Sequence, residues 1–142
     1  MDNNNKEISN NDKILKEFKK EMTWAGEQLV ACQDLESFEF KNAIVEASTS
    51  IASKRLDDGK KKYLHQVPIT LQECKDVDRN NLAETIEEVI DGLIYIIAET
   101  MLQAQLKNKI ASKYLKKANA YLYYALFFLM VADMNNMKRK RK

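Results

Sequence analysis

Glycine and proline are nearly missing from this chain, with three Gly and one Pro in 142 residues. That leaves few places for the tight hairpin turns on which a β fold depends. Cysteine and histidine are scarce as well. Cys32 and Cys74 have no metal-ligand spacing and His65 stands alone, so a disulfide scaffold or a structural zinc site is disfavoured. A reducing interior is the default. The first residues, MDNNNKEISNND, contain no apolar core of a signal peptide, so the expected location is cytoplasmic. The longest uncharged stretch, Ala118–Ala132, falls short of the roughly 20 residues that a spanning helix needs, and no membrane association is expected.

What is present favours helix: Lys, Glu, Leu, Ala and Ile dominate. The formal charge of +2 conceals an asymmetry. Residues 138–142, KRKRK, hold five of the 23 basic residues and leave 18 against 21 acidic ones, a balance of −3 for the rest. Such a tail can hold nucleic acid by counterion release or serve as a localisation signal, and it can equally be a solvated end. At this length one helical domain is expected over residues 11–137, after a disordered N-terminus of residues 1–10 and before the basic tail.

Four helices are legible. The first runs from about Asp12 to Gln33, capped by Asn11 or Asp12, with Ile14, Phe18, Met22, Ala25, Leu29 and Cys32 as its apolar stripe. The second runs from about Phe38 to Leu56 or slightly beyond, striped by Phe40, Ile44, Ala47 and Ile51, with Gly59 helping to end it. A connection of about twenty residues, KKKYLHQVPITLQECKDVDRN, follows; Pro68 breaks any helix there, and loops of that length are commonly functional. The third helix spans Asn81 to about Lys107, and the fourth about Ile110 to Asn135. Residues 121–132 of the fourth, YLYYALFFLMVA, are apolar on every side and fit a central helix or one shared with a second subunit. The expected fold is all-α, a four-helix bundle-like domain that is oligomeric.

The third helix opens with ETIEEVIDGLIY. At about 100° per residue, Glu84, Glu87, Glu88 and Asp91 share one arc, and Tyr95, Ala98 and Leu102 continue the same line. If protein covers that line at Tyr95 and Leu102, the acids one turn earlier point into a cleft. Like-charge pairs at these spacings cost about 0.2–0.5 kcal/mol each when exposed, and no Lys or Arg on this helix relieves them. A divalent cation would. Mg²⁺ takes carboxylate oxygens and completes its shell with water and substrate phosphate. The competing reading is plain: acids in the first turns of a helix suit its dipole.

The core E-E-x-x-D at Glu87, Glu88 and Asp91, followed by an apolar-Tyr-apolar run, resembles the second half of the signature of MazG-type all-α nucleoside triphosphate pyrophosphohydrolases. Lys62-Tyr63 and Asp78-Arg79 ahead of it resemble elements of small phage-type members. The likeness covers roughly residues 40–105. It implies a helical fold, commonly dimeric or higher, and Mg²⁺-dependent (or Mn²⁺-dependent) hydrolysis of a nucleoside triphosphate to monophosphate and pyrophosphate. By the same resemblance Glu88 and Asp91 match metal ligands, and Glu84 and Glu87 become neighbouring ligand or base candidates. The family's first motif, E-E-x-x-E on the preceding helix, has no counterpart here. Glu46 is the best substitute as a metal ligand, because it sits mid-helix. Lys62 and Arg79, at either end of the long loop, are candidates for holding phosphate. The alternatives are a non-enzymatic helical interaction protein and an accessory protein that contacts nucleic acid through residues 138–142.

Overall fold

A computed structural model describes the backbone of residues 8–140 and the side chains of residues 8–137. The sequence-based assignments to residues 1–7 and to the side chains of the basic tail therefore lie outside the described residues. Five α-helices and no strand occur among the described residues: α1 (Asn10–Ala31), α2 (Phe38–Tyr63), α3 (Leu71–Asp76), α4 (Asn81–Gln105) and α5 (Lys109–Lys140). They fall into two compact units, Met1–Arg79 and Asn80–Lys142. The bulk of each is a helical pair, α1 with α2 and α4 with α5.

In the first unit the cap of α1 is Ser9, whose Oγ accepts from the Asp12 amide at 3.1 Å. Asn10, assigned to the tail on sequence grounds, thus opens the helix. Asn11 is not a cap because its side chain is used elsewhere. Its Nδ2 donates to the Leu56 carbonyl at 3.4 Å, and its Oδ1 accepts from the Val67 amide at 3.2 Å. These bonds fasten the start of α1 to the last turns of α2 and to the loop beyond.

The face that α2 buries also differs from expectation. Phe40 and Ile51 are 49% and 64% exposed. The buried positions are Lys41 and Val45, continued by half-buried Ala52 and Leu56, a line turned by about 100° from the predicted stripe. Gly26 of α1 is the reason. A Cβ there would lie 2.4 Å from Cγ of Lys41, so only glycine lets the Lys41 stem cross α1 at this point. The lysine head then reaches outward to Glu27, at 3.8 Å, and over the Phe38 ring, at 5.5 Å. Cys32, read as a small core residue, is exposed instead.

α2 ends later than its sequence predicts. Gly59 lies inside the helix, which runs on to Tyr63 and is stopped by Leu64 in the left-handed conformation, φ 63°. The long connection is shortened further by α3. Thr70 caps it by accepting from the Glu73 amide at 3.1 Å, and T-x-x-E here is a capping-box spacing.

The second unit is a helical hairpin zipped on a seven-residue rhythm. On α4 the covered positions include Leu82, Ile86, Val89, Leu93, Ile96, Thr100 and Gln103; on α5 they include Leu115, Asn119, Leu122, Leu126, Leu129 and Asp133. Alternating steps of three and four make the seam of a coiled-coil pair. The turn between them is compact. Lys107 takes φ 57°, and the Asn108 amide donates to the Gln103 carbonyl at 3.1 Å, closing α4. The Asn108 side chain then caps α5 by accepting from the Ala111 amide at 3.0 Å. Of the residues expected to form a central helix, the leucines face the seam while Tyr121, Phe127 and Phe128 are 72–75% exposed. No helix among the described residues is long and apolar enough to cross a membrane.

Candidate functional site

The acidic helix begins where predicted, with Asn80 as cap accepting from the Ala83 amide at 3.1 Å. Leu82, Ile86, Val89 and Leu93 bind it to α5, which fixes the opposite face outward. Glu84, Glu87, Glu88 and Asp91 lie on that outer face and all four are exposed. Within the second unit the cover expected over the same line is not found among the described residues, because Tyr95 is 76% and Leu102 47% exposed. The helix–helix seam uses the far side of α4, and a two-helix hairpin has no further layer to close the near side.

Glu46 is exposed too. Relative to the Lys41–Val45 line it lies on the side of α2 turned away from α1. Among the described residues no three His, Cys, Asp or Glu side chains gather as a metal-ligand group. The Glu88–Asp91 pair, one turn apart on one face, still matches what Mg²⁺ asks of a protein. It uses one or two carboxylates and takes the rest of its shell from water and phosphate.

The structure brings Lys62 and Arg79, the two candidates for holding phosphate, to one aromatic ring. Arg79 is sixteen residues from Tyr63 in sequence, yet its guanidinium carbon sits 4.3 Å from the Tyr63 ring centroid. The Lys62 ammonium lies 5.2 Å from the same ring, and the His65 ring is tilted against it at 6.2 Å. Local backbone chemistry explains the position of Arg79. At the end of α3, Asp78 turns left-handed, φ 51°; its amide donates to Lys75 and that of Arg79 to the Cys74 carbonyl at 2.9 Å. This six-to-one, five-to-two pairing is a Schellman closure, and it delivers Arg79 back toward the end of α2. A guanidinium over an aromatic ring and an ammonium near the same ring are the groups that pair with phosphate oxygens. Arg79 is the last residue of the first unit, and Asn80, the α4 cap, opens the second.

Beside it the same loop encloses a groove of about 500 Å³ lined by residues including Asn10, His65, Gln66, Pro68, Glu73 and Asp76. The His65 Nδ1 is paired with the Gln66 carbonyl at 2.8 Å. The Asn10 amide donates both to Glu73 Oε2 and to the Val67 carbonyl. Hydrogen bonds from Asn10 first, and then from Thr70, hold the Glu73 carboxyl below its ordinary value of 4.5. A depressed carboxylate contributes stability that is present at neutral pH and is lost as pH falls through the folded-state value. Asn10→Ala is therefore expected to move the Glu73 titration up toward 4.5, followed by carboxyl carbon chemical shifts. An unmoved midpoint would show that Asn10 is not the cause. Sequence reasoning had not marked Asn10, Glu73 or the α3 turn. T-x-x-E before CKD was the signal available, and it was hidden by treating residues 60–80 as one loop.

Set against protein-family models, curated proteins and solved structures, the chain matches none of them.

Proposed function

We propose that this protein is a Mg²⁺-dependent nucleoside triphosphate pyrophosphohydrolase that works as a homo-oligomer and releases monophosphate and pyrophosphate. The observation that carries the reading is the Tyr63 cluster. Two cations from the two ends of one loop meet on one aromatic ring. Lys62 and Arg79 would neutralise the phosphate chain. Glu88 and Asp91 would hold Mg²⁺ (or Mn²⁺), whose chemistry is charge neutralisation at the phosphates and activation of water. Glu84 and Glu87 are the neighbouring carboxylates for accepting the proton of the attacking water. Glu46, exposed on α2, is the substitute for the ligand that the missing first motif would supply.

Assembly has its own support. Ile94, Tyr95 and Met101 on α4 are 59–76% exposed and Phe127 and Phe128 on α5 are 72% and 75% exposed, large apolar side chains of the kind that interfaces cover. A second copy packed there would make the bundle of helices that one hairpin lacks, and would cover the acids' line. The same surface supports the second reading, a helical interaction protein without enzymatic activity. The deciding experiment incubates the purified chain, of known mass in solution, with ribo- and deoxynucleoside triphosphates and Mg²⁺ or Mn²⁺. Monophosphate plus pyrophosphate from at least one nucleotide, absent with chelator, supports the enzyme. An oligomer that releases nothing from any of them leaves the interaction protein.

A further inference from the structure

The second unit carries a charged feature that the proposed reaction does not use. Between Glu99 and Asp133 there is no acidic residue, whereas Lys107, Lys109, Lys113, Lys116 and Lys117 all fall in that interval. Folding concentrates them. The α4–α5 turn places all five on the wall of one groove of about 650 Å³. Its backbone is held by the Lys107–Asn108 closure and the Asn108 cap, so the lysines project from a fixed end of the hairpin rather than from a loose loop. The acid nearest in sequence to these lysines, Glu99, accepts from the Gln103 amide at 2.7 Å.

Aromatic rings continue the basic end along α5. Tyr114 is 47% and Tyr121 72% exposed, and the Lys113 ammonium lies 5.9 Å from the Tyr114 ring. With about 100° and 1.5 Å per residue, Lys113, Tyr114, Lys117 and Tyr121 share an arc of about 100° and extend about 12 Å along the axis. Cations and rings on one face distinguish this surface from a membrane-lying helix, in which the basic face opposes the apolar one. A basic groove that tracks phosphates, with rings on which bases stack, is the pattern of single-strand binding.

We infer that the α4–α5 turn and the adjoining face of α5 bind single-stranded nucleic acid, its phosphates in the lysine groove and its bases on Tyr114 and Tyr121. The site is separate from residues 138–142 and independent of the proposed hydrolysis.

The test is fluorescence anisotropy of a labelled oligothymidylate with the full chain across a range of NaCl concentrations. Single-strand binding weakens with a logarithmic slope of about −0.7 per phosphate neutralised, so five lysines give a slope of about −3.5. Replacing Lys113, Lys116 and Lys117 with glutamine should lower that slope by about 2 and weaken low-salt binding at least about tenfold, with the helical circular dichroism unchanged. Tyr121→Ala should weaken binding about tenfold without changing the slope. Three results would overturn the proposal. One is an unaltered slope in the triple variant. Another is loss of all binding on deleting residues 138–142 alone. The third is equal or tighter capture of a duplex of the same length, or of phosphatidylserine vesicles in place of the oligonucleotide.

Discussion

Glu88→Ala is expected to reduce metal-dependent pyrophosphate release by about a hundredfold or more, while the protein becomes no less stable. The first half follows from the role proposed for Glu88. A bound divalent ion contributes several kcal/mol to a phosphoryl transition state, and about 1.4 kcal/mol is a factor of ten. The second half follows from its surroundings. Glu88 is exposed, and alanine is the better helix former. Removing it also relieves the repulsion with Glu84 and Asp91, which is worth a few tenths of a kcal/mol. Loss of activity with equal or higher melting temperature is the signature of a residue kept for chemistry. Turnover that survives Glu88→Ala would remove the carboxylate pair from the reading. Arg79→Lys is a useful companion, because lysine keeps the charge and loses the planar group stacked on Tyr63. It should raise KM more than it lowers kcat.

Gly26→Ala and Gly92→Ala are the same chemical change and are expected to have opposite signs. In a helix interior alanine is favoured over glycine by about 1 kcal/mol. At Gly92 nothing lies within 4 Å of the added carbon, so that gain is realised. At Gly26 the added carbon meets Lys41 Cγ at 2.4 Å and Cδ at 2.9 Å. Cγ is near the root of a buried side chain, so the α1–α2 contact must open or Lys41 must leave its groove. Overpacking of this kind costs about 1–3 kcal/mol, enough to outweigh the propensity gain. For a unit of this size each 1 kcal/mol moves the midpoint by about 4–8 °C. Calorimetry should show the first unit melting several degrees lower in Gly26→Ala. Adding Lys41→Ala should restore part of the loss, and a Gly26→Ala protein as stable as the parent would mean the two helices do not cross at this point.

The boundary between what the sequence disclosed and what it withheld is physical. Long amphipathic stretches announced α1 and α4, because Phe18–Met22 and Ile86–Val89–Leu93 repeat at steps that only a helix aligns. The face that α2 buries was not legible. Lys41 is a poor candidate for burial until Gly26 is known to lie across from it, and that is a property of two helices rather than one. The end of α2 failed for a related reason, since glycine is tolerated within a helix and Leu64 did the terminating. Tyr63 and Arg79 were marked from their flanking positions, but their meeting depends on a left-handed Asp78 that nothing in the local composition demanded. The acids were placed correctly on one arc. Whether anything covers them depends on what lies beyond the hairpin, and a periodicity within α4 carries no information about that.

The hairpin of the second unit contains two oddities in its seam, the buried Oε1 of Gln103 and Oδ1 of Asn119, which find no hydrogen-bond partner among the described residues. Leucine at either place would hold the helices more tightly. A repeat of seven lets one helix slide past the other and mesh again, but each such step would unravel the short link at Leu106–Asn108. The short link at Leu106–Asn108 thus works as a latch, and any slip of one rod along the other must first undo it.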